Sequence, residues 1–388
     1  MTRERFIASR LITMTERETV HPEEELVGPT VYLINDQLIK PVTTEAGQVS
    51  WALMCSPEGC NCDLFISHAW LEGILEFLSA VCATWPRKAK GAYCCMLSNP
   101  QCLDISALIQ TPQNSPFAHA LRSSTYVCVV PNTKICIYNR LWCGYEGYLA
   151  YDLGKNIYTA MQPLPLKTAV GAFLPPLGIS LVTTFIMFAC YVALEVPPVL
   201  SYRIAMVGSA IGLALTFASF MSLSERVQKT CHYAIAVLLS GTLLASYIFQ
   251  MFSTGEPMAF LRCALMAIAA IGPSCLELDR VRFREYQRQC ATLTANYCGS
   301  ISSASCSDPG DKLRIMEEVG SLTTQVDATI EVLMQAGMSN PTLRKAALHQ
   351  IDLKWVGYVP KGVMFLFFHF GFCNLWDIRR NAFRVKKH

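Results

Sequence analysis

Four long apolar runs follow one another between Lys167 and Glu277, and together they constrain the fold more than anything else in the chain. Thr168 to Leu194 contains no charged residue, and at about 1.5 Å rise per residue it is long enough to cross roughly 30 Å of hydrocarbon. Ile204 to Ser224 and Cys231 to Gly255 repeat the pattern, bounded by Arg203, Glu225, Lys229 and Glu256. Pro257 to Leu276 is weaker because Arg262 lies inside it; a central Arg costs about 2.5 to 3.5 kcal/mol on insertion scales, whereas one near an end can snorkel to the headgroups. Buried core helices in a water-soluble fold are the alternative, but four such runs joined by short loops point to an all-α bundle of four transmembrane helices over residues 166–277. A further aromatic stretch, Gly362 to Trp376, spans only 15 residues and is flanked by Lys361, Arg379, Arg380, Arg384, Lys386 and Lys387. That length suits packing at the interface better than a crossing.

Loop charge orients the bundle. Lys155 and Lys167 precede the first run, Arg226 and Lys229 separate the second from the third, and Arg280, Arg282, Arg284 and Arg288 follow the fourth. The opposite loops offer little beyond Arg203, so the positive-inside rule puts both termini in the cytosol. The opening MTRERFIASR continues without the apolar core of a signal peptide, leaving the first span to direct insertion. With 52% hydrophobic and 16% charged residues the chain is too apolar for an ordinary soluble protein, and a net charge of +3 is too small to imply nucleic-acid binding. The bilayer is the implied partner, not a nucleic acid. Reducing surroundings disfavour a disulfide framework among the 18 cysteines. Cys55, Cys60 and Cys62 lack the paired spacing of a zinc site and have no histidine nearer than His68, so no metal is expected.

Upstream lies an α/β half. Residues 1–50 form an extension in which VYLINDQLIKPVT alternates around Asn35 and Asp36, the pattern of a hairpin ended by Pro41. Residues 51–165 then alternate strands at Asp63 to Ser67, Ala92 to Leu97, Tyr126 to Val130 and Asn156 to Met161 with helices at Trp70 to Thr84, Phe117 to Ser123 and Leu141 to Leu153. Such alternation predicts right-handed crossovers and a parallel sheet covered on both faces. Ligands of such sheets bind at the carboxyl ends of the strands, which here means the Ser67 to Trp70 turn, the Ser98 to Pro116 loop and the approach to Trp142.

FISHAW at Phe65 to Trp70, SPFAHALRSSTYVCVV at Ser115 to Val130 and RLWCGYE at Arg140 to Glu146 resemble, in order and spacing, successive motifs of the Toll/interleukin-receptor (TIR) domain, especially the TIR-like domains of plants, bacteria and algae. The resemblance covers roughly Asp63 to Met161 and implies a flavodoxin-like fold. The family includes enzymes that cleave the bond between nicotinamide and ribose in NAD, with the glutamate of the WCxxE helix essential; that residue corresponds to Glu146. A carboxylate there would stabilise an oxocarbenium-like centre. The resemblance thus makes NAD a substrate and calls for no cofactor. Ser67 or His68 would hydrogen-bond nearby, and Trp70 and Trp142 either bind the ligand as stacking rings or pack in the core. Glu146 itself is either that carboxylate or a solvated helix residue. SNPQCLDISAL lacks the acidic and arginine residues common in the family, apart from Asp104, and no room is left before Thr168 for the usual fifth strand and its helix. TIR domains commonly act by assembling with one another, so self-association is the implied partnership.

Residues 278–388 read as a cytosolic helical tail. Leu278 to Gln289 is a charged juxtamembrane helix, with arginines that flank the membrane or meet anionic lipid, and Gly299 to Ser307 is a Ser/Cys linker. A helix capped by Ser307 or Asp308 then presents Ile315, Val319, Leu322, Val326, Ile330 and Leu333 as one stripe, and Asn340 and Pro341 start a second. The pair is expected to dock on the α/β domain or on a second copy. The leading expectation is a membrane-anchored, cytosolic TIR-like signalling domain, with an NAD glycohydrolase using Glu146 as the alternative. A transporter or channel ranks below both, because the spans hold almost no titrating residue beyond Arg262 and His232.

Overall fold

The computed structural model describes residues 27–222, 224–254, 260–336 and 338–339. The aromatic segment 362–376 and the helix expected from Asn340 lie outside the described residues. The chain divides into two compact units, breaking after Pro163 and returning to the first unit at Tyr286.

Four parallel strands, β1 Leu64–Ser67, β2 Ala92–Cys94, β3 Tyr126–Val129 and β4 Asn156–Thr159, lie in the order β2-β1-β3-β4. Side chains alternate strictly across the sheet. Leu64, Ile66 and Cys128 enter one core with Phe77, Leu78 and Val81 of the helix Ile74–Thr84, whereas Phe65, Val127, Val129 and Ile157 enter a second core with Leu121, Leu141 and Ala150. Both faces are therefore covered, and β1 is buried throughout its length. The second strand is shorter than its apolar run predicted, because the chain coils after Cys94 into a helical turn at Cys95–Ser98.

The hairpin expected within residues 1–50 is not formed. Val31–Ile34, a π-helical turn Asn35–Ile39 and Lys40–Glu45 make one helix instead. Val31, Asn35, Ile39 and Thr43 recur every four residues and are all buried, so the helical period overrides the apparent alternation. Thr30 caps its start, its hydroxyl accepting from the Leu33 N–H at 3.4 Å. Pro41 has no N–H and crowds the carbonyl four residues before it, and the widened π turn directly upstream accommodates the ring.

A fifth strand, antiparallel to the rest, comes from the far side of the apolar segment. Met338–Ser339 forms β5, antiparallel to the edge strand β4. Two helices lead to it, Pro309–Val319, whose Asp308 cap accepts from the Gly310 N–H at 2.7 Å, and Thr323–Ala336. Ile315, Val319, Val326, Ile330 and Leu333 are buried in the second core beside Leu141 and Tyr145, so the stripe docks on the α/β domain of its own chain. Leu322 departs from the expected stripe and is exposed. A 3-10 turn, Gly320–Leu322, separates the two helices and shifts their phase, starting at Gly320 with φ of 42°, a left-handed conformation that favours glycine.

Among the described residues of the second unit, three helices are long and apolar enough to cross a membrane: Leu166–Ala193, Pro198–Ser219 and Glu225–Ser253. The second starts earlier than expected, at Pro198, which brings Arg203 into its second turn. The third contains a π-helical stretch, Ala236–Leu244. The fourth apolar run and the charged segment after it form one continuous helix, Phe260–Ala295, with Arg262 in its first turn. Gly208 and Gly212, one turn apart, let the Pro198 helix approach the third closely, since a Cβ at Gly208 would overlap the Thr242 side chain and one at Gly212 would lie 3.0 Å from Leu239. Small residues at this spacing are how apolar helices pack where no hydrophobic effect drives them together. Polar side chains in this unit meet one another: His232 Nδ1 lies 2.9 Å from buried Glu277, and Arg280 donates to Glu277 and to exposed Glu225 at 2.6 Å each. Arg280 and Arg284, expected to flank the bilayer or meet lipid, are both paired with Glu225.

Candidate functional site

Consecutive connections leave β1 in one direction toward β2 and leave β3 in the other toward β4, so the order reverses between β1 and β3. In open α/β sheets the crevice beyond the carboxyl ends of such a pair is where ligands bind. Ser67, the last residue of β1, pairs with Val129 at the end of β3 and stands at the mouth of this crevice.

Glu146 reaches Ser67 from the helix Leu141–Asp152 that follows β3. The Ser67 hydroxyl donates to Glu146 Oε2 at 2.6 Å, and Glu146 is only 8% exposed. Burial pushes its carboxyl up to about 7, against the opposing pull of the Ser67 hydrogen bond and of nearby His68. The alternative of a solvated helix residue is excluded by that burial. Close packing holds the helix in place: Gly144 leaves space that Ile301 fills, and a Cβ there would lie 3.2 Å from Ile301. A carboxyl group titrating near neutrality is equipped to give or accept a proton, and in its ionised form to stabilise positive charge developing beside it.

His68 follows Ser67 directly. Its Nδ1 lies 2.7 Å from Glu72 Oε1, one turn further on, and both side chains are almost fully buried. Its Nε2 lies 3.2 Å from Cys95 Sγ and 3.6 Å from Cys94 Sγ. Burial opposes charge on the ring, but Cys95, Cys94 and Glu72 outweigh it and hold His68 well above the usual histidine range. Glu72 is itself raised to about 7 by burial, offset in part by His68. The main chain of His68 is fixed as well, its carbonyl accepting from Cys143 Sγ at 3.4 Å.

The two tryptophans go elsewhere. Trp70 donates its indole N–H to Cys95 Sγ at 3.3 Å and sets its ring against Tyr32, with centroids 5.3 Å apart. Trp142 packs between Phe117 and Tyr145 and donates to Asp311 Oδ2 at 3.0 Å, so it serves the docking of the C-terminal helices. A cavity of about 230 Å³ opens on a different face of the Glu146 helix, lined by Tyr145, Tyr148, Arg122 and Glu318 among others. The buried carboxyl and the strand ends converge at Ser67 and Glu146 rather than there. Among the described residues, no cluster of His, Cys, Asp and Glu has the makings of a metal site.

Sequence reasoning singled out Ser67, His68 and Glu146, which the fold brings together, but missed Glu72, Cys94 and Cys95. The parallel register that sets Ile66 beside Cys94 is what delivers the two cysteines to His68. The one available signal was the four-residue spacing of His68 and Glu72. No family model matches the chain, and no curated protein or solved structure matches it either.

Proposed function

We propose that this chain is a membrane-anchored signalling protein whose TIR-like domain faces the cytosol and acts by self-association or partner recruitment. The observation that carries the reading is the Ser67–Glu146 hydrogen bond: the serine of FISHAW and the glutamate of WCGYE, 79 positions apart, meet at the reversal point of the sheet. Three apolar helices supply the anchor. Residues before Pro163 and after Tyr286 share one hydrophobic core and hence one side of any membrane, so an even number of crossings must separate them. Four crossings with both ends cytosolic, the fourth made by the first part of Phe260–Ala295, satisfy that parity and the positive-inside rule together.

Leu103 and Leu108 stand exposed on the Ser98 to Pro116 loop and offer an apolar surface for assembly. Full-length protein in liposomes at rising surface density is expected to associate, read by energy transfer between labelled copies, and Leu108→Glu to abolish the association. Unchanged association of Leu108→Glu would remove the loop from the interface, and monomers at every density would end the reading.

The Ser67–Glu146 geometry also favours a second reading, NAD cleavage to nicotinamide and ADP-ribose with Glu146 as the stabilising carboxylate. Clustered wild-type protein is then expected to release nicotinamide, and Glu146→Gln to lose about 10² or more in turnover. Absence of turnover in the clustered wild type would leave the assembly reading standing alone.

A further inference from the structure

Beside the Ser67–Glu146 pair lies a second constellation that the proposed function does not use. Cys95, partly buried directly after β2, has two nitrogen groups directed at one sulfur: His68 Nε2 at 3.2 Å and the Trp70 indole N–H at 3.3 Å. Indole N–H only donates, so the sulfur is used as an acceptor, the role suited to a thiolate. Glu72 fixes the other face of the imidazole at 2.7 Å, and its second oxygen, Oε2, is buried without a partner among the described residues. Nucleophile, base and orienting carboxylate thus stand in line, the arrangement that activates cysteine elsewhere in chemistry.

We propose that Cys95 is an activated thiolate, held by His68, Glu72 and Trp70, and that it is a modification site for small hydroperoxides. In the step, the thiolate sulfur attacks the near peroxide oxygen, an S–O bond forms and the O–O bond breaks. The leaving oxygen takes a proton from His68 and departs as water or an alcohol; sulfur is oxidised by two electrons and the peroxide is reduced. The product is a sulfenic acid. Cys94 is badly placed to resolve it within the chain, since adjacent residues hold their Cα atoms about 3.8 Å apart, closer than an unstrained disulfide accepts, so an external thiol is needed. Burial pushes the Cys94 thiol up and keeps it protonated, leaving Cys95 as the reactive member of the pair. The other titrating groups near Cys95 are Tyr93, also held protonated by burial, and the Glu72–His68 pair already described. None of this depends on NAD cleavage or on self-association.

The test uses full-length protein in detergent micelles, pulsed with iodoacetamide at pH 6 and mapped by peptide mass spectrometry. A thiolate persists at that pH only where its surroundings stabilise it, so Cys95 is expected to label at least about 10-fold faster than exposed Cys60 and Cys298. His68→Gln is expected to remove that advantage. Trp70→Phe, which keeps a ring against Tyr32 but loses the N–H, should lower it several-fold, and it decides the matter should His68→Gln fail to fold. Hydrogen peroxide followed by dimedone should then mark Cys95 ahead of the exposed pair. Labelling of Cys95 at pH 6 no faster than Cys60 overturns the proposal, and so does Trp70→Phe labelling as fast as wild type. Fast alkylation without any dimedone adduct overturns the hydroperoxide assignment.

Discussion

A carboxyl group moved by folding from water into the Ser67 crevice changes its affinity for protons, and that change is a pH-dependent term in stability. Glu146 is raised from its ordinary 4.5 to about 7, so the folded state binds the proton more tightly than the unfolded one. Its contribution is fully present below about pH 4.5 and is lost as pH rises through 7. Glu146→Gln keeps an acceptor for the Ser67 hydroxyl but has no proton to lose. The variant should therefore gain stability relative to wild type between pH 4.5 and pH 8, on the order of 3 kcal/mol. Chemical denaturation of both proteins at the two pH values measures this; parallel pH profiles would mean that Glu146 is not buried as a titrating group. Glu146 was legible in the sequence because WCGYE is a local pattern. Cys95 was not, because its meeting with His68 depends on a strand register that no local pattern encodes, and the four-residue spacing of His68 and Glu72 was the one local hint of that pair.

Elements were legible where periodicity and length agreed. The strands at 64–67, 126–129 and 156–159 and the helix carrying Glu146 fall within a residue or two of expectation. Residues 31–45 misled because Val31, Leu33 and Asn35 alternate locally while Val31, Asn35, Ile39 and Thr43 recur every fourth position, and only the longer window separates the two patterns. The C-terminal stripe supplies an internal control on packing. Ile330 is fully buried in the α/β unit and Leu322 is 39% exposed, so Ile330→Ala should cost about 2 to 5 kcal/mol and Leu322→Ala well under 1. Equal effects in a denaturation series would contradict the phase shift at Gly320. In the second unit, Gly208 faces Thr242 with no space for a Cβ, whereas a Cβ at Gly171 meets nothing within 4 Å. Gly208→Ala should lower the thermal midpoint in detergent, and Gly171→Ala should leave it unchanged or raise it. A silent Gly208→Ala would show that the Pro198 helix does not pack as described.

At the scale of the whole molecule, the apolar segment is an insertion in the α/β unit, since the sheet gains β5 and much of its second core from residues beyond it. Local patterns follow the chain and make residues 278–388 look like a tail, and only contacts across more than a hundred residues reveal a strand returning to its sheet. One consequence is that residues 1–165 alone should aggregate, with Leu141 and Tyr145 stripped of their cover, while a chain joining residue 163 to residue 286 through a short linker should stay soluble. The other consequence is topological. The proposed four-crossing arrangement gives the fourth crossing to the first part of Phe260–Ala295, which keeps the number of crossings even. Protease-cleavable tags placed at residues 195 and 256 should both be protected in sealed vesicles whose α/β unit is exposed, and a tag at residue 223 should be cut. Cleavage at 256 together with protection at 195 would take the crossing away from Phe260–Ala295 and require that one of the other three apolar helices fails to span as well, because an odd count would tear the sheet from the strand that completes it.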